Sequence, residues 1–217
     1  MSETQAHAAL MDSTYRYQRR IYDITRRHYL LGRDRLVAEL APPPDGRVLE
    51  IACGTGRNLQ RIAQTYPGRA LCGLDISQEM LRSARAKLGD QARLVQADAC
   101  DFDGDALFGP GGFDRVVLSY SLSMIPDWQA ALCQAATQLR PGGQLHVVDF
   151  GGQDGLPRWF RSGLHLWLGR FHVTPRADLQ DKMQAVARLL GLTLQFRPLF
   201  RDYARYGVLS RPDSVSG

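Results

Sequence analysis

Two carboxylates and two glycines in the first half of the chain have the types and spacing of a ligand site. Glu50 precedes Gly54 by four residues, and Gly56 follows at the G-x-G spacing. Asp75 lies at the end of the next apolar run. The mainly apolar residues 48–51 predict a strand buried on both faces, and the residues after Gly56 have the apolar period of a helix. A strand, a glycine turn and a helix together let a ligand approach bare backbone at a helix N-terminus.

Two classes of ligand fit this turn to different degrees. A dinucleotide site is typical of G-x-G-x-x-G with an acid about twenty residues later. Asp75 supplies the acid, but Leu59 occupies the third glycine position. Glu50 would repel a diphosphate and attract a cation. The stretch resembles motif I of the class I S-adenosylmethionine-dependent methyltransferases, E/D-x-x-x-G-x-G, whose loop binds the amino-acid end of the cofactor. It departs from that motif at Ala52, where glycine is usual and a methyl group should be tolerated, although it crowds the cofactor. A strand, turn and helix without any ligand is the third interpretation, and the later motifs count against it.

The resemblance also implies how the adenosine end is bound. Asp75 is expected to accept hydrogen bonds from both ribose hydroxyls, since a carboxylate can accept two at once. Ile76 and Met80 should pack on the adenine. Asp98 should accept from the adenine amino group while the N–H of Ala99 donates to a ring nitrogen, although Asp98 also fits a turn residue. The expected cofactor-binding residues are Tyr22, Arg33, Glu50, Ala52, Gly54, Thr55, Gly56, Asn58, Leu59, Asp75, Ile76, Met80, Asp98, Ala99, Ser119 and Tyr120.

Later apolar runs predict the remaining strands of an α/β fold. The resemblance implies a Rossmann-like class I methyltransferase fold with a seven-stranded sheet, six strands parallel and one antiparallel, bearing an N-terminal helical arm. A turn is expected over residues 139–143, and helices over residues 156–171 and 175–190. The expected strands cover residues 48–51, 70–75, 93–98, 113–119, 144–150, 192–196 and 203–209, the last two as a closing antiparallel hairpin.

The proline-rich residues 41–46 separate the predicted arm from the sheet. The length of 217 residues suffices for one α/β domain, so we expect an arm over residues 1–41 and a methyltransferase domain over residues 42–217. The arm is predicted as a helix over residues 13–40. The four cysteines include no C-x-x-C pair, and no histidine cluster has metal-ligand spacing, so we expect no metal site. The scattered cysteines favour a protein that resides in the reducing cytoplasm. No signal peptide or membrane-spanning run is visible.

The formal charge of +5, with arginine outnumbering lysine, fits an anionic partner or a solvated basic surface. The sequence does not predict nucleic acid as the substrate or partner. Enzymes that methylate exocyclic base amines usually carry D/N/S-P-P-Y/F/W after the fourth strand, where this chain has residues 119–122, Ser-Tyr-Ser-Leu. The apolar face of residues 156–171 includes Trp159 and Trp167 and is bordered by arginines. Packing on the sheet and burial in a bilayer interface both fit that helix. We expect a cytoplasmic protein that associates peripherally with the anionic inner face of the membrane.

Four stretches of the sequence indicate a particular subfamily of these methyltransferases: residues 15–23, 28–35, 122–126 and 156–160. They are similar to the bacterial N-methyltransferases of betaine-lipid synthesis, which convert diacylglyceryl-homoserine to the trimethylated lipid by successive methylations. Phosphatidylethanolamine N-methyltransferases are close relatives, so that lipid or another small amine stays an alternative substrate. A cofactor-binding module without turnover is a third possibility. The substrate's carboxylate would need a guanidinium, for which Arg16 and Arg33 are candidates.

The amine of such a substrate sets the catalytic requirements. It must lose a proton before each attack on the methyl group, and a side chain or a water molecule has to accept that proton. Tyr15, Tyr22 and Tyr29 recur every seven residues and form one stripe of the predicted arm helix. That stripe fits core packing, and together with Tyr120 it also fits an aromatic cage for the methylated ammonium. The candidate proton acceptors are Tyr22, His28, Tyr29 and Asp149.

Overall fold

One sheet organises the part of the chain that a computed structural model describes, residues 30–169 and 173–213. Its strands in chain order are β1 (Arg47–Ile51), β2 (Ala70–Asp75), β3 (Ala92–Gln96), β4 (Phe113–Ser119), β5 (Leu139–Phe150), β6 (Thr193–Leu199) and β7 (Ala204–Ser210). These seven strands lie in the order β3-β2-β1-β4-β5-β7-β6. Strand β7 is antiparallel to both neighbours, and every other neighbouring pair is parallel. The prediction of a sheet with one antiparallel strand is confirmed.

Helices cover both faces of the sheet. The described helices are α1 (Arg33–Leu40), α2 (Arg57–Thr65), α3 (Gln78–Leu88), α4 (Gly104–Phe108), α5 (Trp128–Thr137), α6 (Arg158–Gly169) and α7 (Leu179–Leu190). Successive residues of a strand face opposite sides of a sheet, and Val48 and Leu49 belong to two separate apolar clusters. Helices α1, α2 and α3 contribute to the cluster around Val48, whereas α5 and α7 contribute to the cluster around Leu49. Burial on both faces explains the continuous apolar runs of the central strands.

The strand order brings the candidate ligand residues to one edge of the sheet. The chain passes from β1 outward to β2 and β3, then returns to β4 on the other side of β1. A crevice forms outside the carboxyl ends of parallel strands where their order reverses in this way. Glu50, Asp75 and Ser119 all lie at or next to these carboxyl ends. The fold therefore positions them together.

The predicted bounds of the first, second, fourth and seventh strands agree with the structure to within one residue. Strand β3 ends two residues earlier than predicted, at Gln96, and β6 ends three residues later, at Leu199. The fifth strand differs most. Strands β2 and β4 have the predicted bounds. The turn predicted over residues 139–143 lies inside β5, because Leu139 already pairs with Phe113 before the register shifts between Phe113 and Arg115. Gly142 has a φ of 73°. The Pro-Gly-Gly segment is therefore an irregularity within a longer strand, as in a β-bulge, and not a separate turn.

The predicted arm helix is interrupted within the described residues. Gly32 has a φ of 90° and helix α1 begins at Arg33, so the prediction of one continuous helix over residues 13–40 is wrong here. A left-handed residue ends a right-handed helix, and glycine adopts that conformation at the least cost. Leu36 and Leu40 are fully buried in the same core as β1. The tyrosine stripe lies outside the described residues.

Helix α6 packs along one edge and leaves another edge exposed. Leu168 is 1% exposed, whereas Trp159 and Leu166 are 77% and 76% exposed. Of the two interpretations for this helix, packing on the rest of the domain holds for Leu168, whereas most of the Trp159 side chain is exposed. No helix in the described ranges is long and apolar enough to cross a bilayer.

Ala52 adopts a positive φ of 54°, a conformation that costs a residue with a Cβ about 1–2 kcal/mol. We expect Ala52→Gly to raise the free energy of unfolding by roughly 0.5–1 kcal/mol, after subtraction of the greater entropy of glycine in the unfolded chain. Chemical denaturation measures the change. The control is Ala86→Gly at an exposed position of α3, which should lower the same free energy by about 0.5–1 kcal/mol. Equal losses in the two variants would show that Ala52 is not strained.

Candidate functional site

Glu50 is a buried carboxylate with one oxygen engaged and one left over. Its side chain is 2% exposed. The Asn58 side-chain amide donates to Oε1 over 2.7 Å, while Oε2 has no hydrogen-bond partner among the described residues. Burial raises the pKa of Glu50 to about 8, and the hydrogen bond from Asn58 and the charge of Arg33 oppose that rise.

An oxygen of this kind has a definite chemical use. Leaving a buried acceptor without a donor costs free energy, and a ligand that donates there recovers it. An ammonium group is the best match, because it both donates and favours the ionised carboxylate. Glu50 therefore fits the amino group of an amino-acid-like ligand. This is the group that the motif I resemblance implies.

The glycine turn after β1 provides the bare backbone that such a ligand requires. The N–H of Cys53 donates to the carbonyl of Leu74 over 2.9 Å, so the start of the turn is tied to β2. Gly54 and Gly56 have φ values of 55° and 71°. A Cβ on Gly56 would lie 2.8 Å from Leu88, whereas a Cβ on Gly54 would meet no atom within 4 Å. Gly56 is thus required by packing against α3, and Gly54 faces open space.

Asp75 connects this turn to the helix that follows β2. Its Oδ2 accepts from the N–H of Gly54 over 2.8 Å, and its Oδ1 accepts from the N–H of Ser77 over 2.9 Å. Each carboxylate oxygen has a second lone pair, so the side chain can still accept from a ribose. That role stays a prediction.

Two cavities meet at Ala52. The first, of about 50 Å³, is the glycine-turn cavity, and its lining includes Arg33, Glu50, Ala52, Gly54, Thr55, Asn58 and Ser119. The second, of about 270 Å³, is the Asp98 cavity, and its lining includes Ala52, Asp75, Ile76, Asp98 and Ala99. Ser119 Oγ is buried and has no partner among the described residues, so the small cavity offers a second unused polar atom. An elongated ligand with a charged end and a planar end fits this pair.

Four of the described residues expected to bind the cofactor line neither cavity: Gly56, Leu59, Met80 and Tyr120. Gly56 and Leu59 position the turn and helix α2 from within the core. Met80 is 3% exposed and begins the buried side of α3. Asp98 lines its cavity and also accepts from the N–H of Cys100 over 2.9 Å, so it is both a turn residue and a wall of the site.

Tyr120 and Asp149, the described catalytic candidates, have contacts within the protein. The Tyr120 hydroxyl donates to the carbonyl of Leu31, and its ring packs edge-on against Phe150 with ring centroids 4.7 Å apart. Asp149 is fully buried and accepts from the N–H groups of Ser123 and Phe150. Burial raises the pKa of Asp149. Neither side chain lines the two cavities. Their roles at a substrate stay predictions, as do those of Tyr22, His28 and Tyr29, which lie outside the described residues.

Sequence reasoning missed several residues of the cavity walls. Arg57 lines the glycine-turn cavity, and its position directly after Gly56 is a signal that could have identified it. Ile125 and Asp127 line the Asp98 cavity. They belong to the loop after β4, whose path over the crevice depends on tertiary contacts and leaves no local pattern.

Comparisons with known proteins agree with this geometry. Residues 48–143 match the model of a family described as a methyltransferase domain. The chain is 33% identical over 163 residues to the ubiquinone/menaquinone biosynthesis C-methyltransferase UbiE of Syntrophotalea carbinolica, covering 71% of this chain and 65% of that protein. The chain thus spans less than two thirds of that relative's length.

Two solved structures have the same fold at low sequence identity. The plantazolicin methyltransferase BpumL, in complex with a triazolic desmethylPZN analogue and S-adenosylhomocysteine, superposes with a TM-score of 0.70 at 14% identity over 96% of this chain and 95% of its own. Phosphoethanolamine N-methyltransferase 2 of Haemonchus contortus, in complex with S-adenosylmethionine, gives 0.66 at 16% identity over 83% of this chain and 52% of its own.

The matched segment contains Glu50, the glycine turn, Asp75 and Asp98, which line the two cavities. Residues 48–143 therefore match a methyltransferase domain, and the two cavities that they line fit S-adenosylmethionine as the methyl donor.

Proposed function

We propose that this protein transfers methyl groups from S-adenosylmethionine to the head-group amine of a lipid, with diacylglyceryl-homoserine as the substrate and three successive methylations. The observation that carries methyl transfer is Glu50, whose buried Oε2 has no partner in the described ranges and lies beside the glycine turn. The similarity of four sequence stretches to betaine-lipid N-methyltransferases supports the choice of substrate.

Each cavity has a part of the cofactor to hold. Glu50 would accept from the ammonium group in its ionised form, while Arg33 would pair with the carboxylate. Asp75 would accept from the ribose, and Asp98 and Ala99 would contact the adenine. When bound, S-adenosylmethionine supplies a sulfonium methyl group for attack by an amine lone pair. The protein's task is then to position that amine and to remove its proton.

Removal of the proton is assigned to the arm. Tyr120 and Asp149 are buried, and their oxygens already contact the backbone. We therefore assign proton acceptance to Tyr22, His28 or Tyr29, directly or through water. The same tyrosines would enclose the ammonium as methyl groups accumulate.

The test is transfer of labelled methyl groups from S-adenosylmethionine to dispersed lipids, read by mass spectrometry. The proposal predicts mono-, di- and trimethylated products from diacylglyceryl-homoserine. Methylation of phosphatidylethanolamine alone would favour the related activity. Tight binding of S-adenosylhomocysteine without methyl transfer to any lipid amine would indicate that the protein is a cofactor-binding module without catalytic activity.

Binding of S-adenosylhomocysteine should release a proton from Glu50. With a pKa of about 8, the unliganded carboxyl is mostly protonated at pH 7, and ionisation on binding releases roughly 0.9 proton. Affinity should therefore rise as pH increases from 6 to 8. Calorimetry in buffers of different ionisation enthalpy measures the released protons.

Glu50→Gln should abolish that release and weaken binding about tenfold or more, since a hydrogen bond to a charged group is lost. Asp181→Asn, at an exposed position of α7 on the other face of the sheet, is the matched control and should behave like the wild type. Unchanged proton release in Glu50→Gln would place the ammonium elsewhere.

Asp75→Ala should weaken S-adenosylhomocysteine binding by roughly 1.5–3 kcal/mol, because the ribose loses a charged acceptor. It should also lower the melting temperature, because the N–H groups of Gly54 and Ser77 lose the same carboxylate. Calorimetry and thermal unfolding separate the two effects. A folded variant that binds normally would show that the ribose lies away from Asp75.

Helix α6 gives the proposal a membrane contact. Its exposed Trp159 and Leu166 lie beside the exposed Arg158 and Arg161, a combination typical of helices that lie in an anionic bilayer interface. Replacing both Trp159 and Leu166 with alanine should reduce binding to anionic vesicles about tenfold or more, from the loss of buried apolar area. Leu189→Ala removes an equally exposed leucine from α7 and should have no such effect. Co-sedimentation measures the binding, and equal loss in the two proteins would exclude α6 as the contact.

A further inference from the structure

A third cavity, of about 510 Å³, lies between α1, α2 and the turn that joins β6 to β7. We call it the arginine cavity. Helix α2 contributes Arg57, Gln60, Arg61 and Gln64, which form one polar face at the i, i+3, i+4, i+7 spacing. The α1 side contributes Arg33, Arg35 and Asp34, which is the single acidic residue among the described residues of the lining. Guanidinium and amide groups, which donate hydrogen bonds, therefore dominate its walls.

Two of these arginines have no counter-charge within the described residues. Arg35 pairs with Glu39 at 2.8 Å. No acidic side chain of residues 30–169 and 173–213 lies within ion-pair distance of Arg57 or Arg61. Like charges four residues apart on a helix repel each other. An anion bound between Arg57 and Arg61 would relieve that repulsion and could accept from both guanidinium groups.

One wall of the cavity is apolar and exposed. Phe200 is 52% exposed, and Leu31 is 38% exposed. Phe200, Arg201 and Asp202 have positive φ values of 52°, 58° and 62°. Ordinary residues hold that conformation only when their surroundings fix it. Here the Asp202 carboxylate binds the Arg205 guanidinium at 2.8 Å and accepts from the N–H of Gly152 at 2.9 Å.

The arginine cavity adjoins the cofactor site. It shares Leu30, Arg33, Arg57 and Asn58 with the glycine-turn cavity that contains Glu50. Arg61 lines the arginine cavity but not the glycine-turn cavity. A ligand in this cavity would therefore lie next to the amino-acid end of the methyl donor.

We propose that the arginine cavity binds the anionic oxyacid group of an amphiphilic methyl acceptor, a carboxylate or a phosphate, through Arg57 and Arg61. Phe200 and Leu31 contact the apolar part of the same molecule. This inference rests on the proposed function, because the molecule bound in the arginine cavity is taken to be the amine substrate of that reaction. Its anionic group would then lie next to its reacting amine. It assigns the substrate class as zwitterionic head groups with an apolar tail.

The test is a nuclear magnetic resonance titration with hexanoate, hexyl phosphate and uncharged hexanol, run with and without S-adenosylhomocysteine. The wild type should bind one or both anions more tightly than hexanol. Arg57→Gln and Arg61→Gln should each weaken anion binding by about tenfold, because each removes one charged donor. Arg188→Gln removes an exposed arginine from α7, on the other face of the sheet, and should bind like the wild type. The tighter of the two anions identifies the head group as a carboxylate or a phosphate.

The proposal is overturned if hexanol binds as tightly as the anions, if neither anion binds, or if Arg57→Gln and Arg61→Gln match Arg188→Gln. Thermal unfolding of each variant confirms that a weaker anion affinity belongs to a folded protein. The titration requires no methyl transfer. Anion binding that depends on both arginines, without methylation of any lipid, would overturn the proposed function and keep the site. Lipid methylation that neither substitution affects would support the proposed function and overturn the anion site.

Discussion

The burial of Glu50 is the constraint on which the site depends. Its carboxylate lies in β1, flanked on both sides by parallel strands, where water cannot solvate it. Desolvation raises the pKa of Glu50 to about 8, and one amide from Asn58 stabilises only one of its two oxygens. A protein retains such a group at a cost in stability. A cationic ligand returns that free energy on binding, which couples ligand affinity to the protonation of one residue.

A second carboxylate positions the backbone beside the first. Asp75 accepts from Gly54 in the turn and from Ser77 at the start of α3, so the two loops that border the crevice are tied to one side chain. Ala52 lies between the two cavities with a positive φ. A strained residue at the junction of two ligand cavities is consistent with a turn shaped by what it binds more than by its own stability.

The sequence predicts the sheet well because central parallel strands are buried on both faces and read as continuous apolar runs, as β2 and β4 do. The residues of the glycine-turn cavity are also predictable, since Glu50, Gly54 and Asn58 lie close together in sequence. The break at Gly32 was not predicted, because a single glycine does not interrupt the apolar period of a helix. The contact of Tyr120 with Leu31 spans 89 residues of sequence, and the arginine cavity combines residues of α1 and α2 with Phe200. Such features depend on the tertiary fold and have no local pattern.

The most direct test of this account is a crystal structure of the protein with S-adenosylhomocysteine. The account predicts that the ligand's amino nitrogen lies within hydrogen-bond distance of Glu50 Oε2, with the ribose against Asp75 and the adenine in the Asp98 cavity. A complex in which Glu50 Oε2 still has no partner, or in which the adenine lies at the glycine turn, would contradict it.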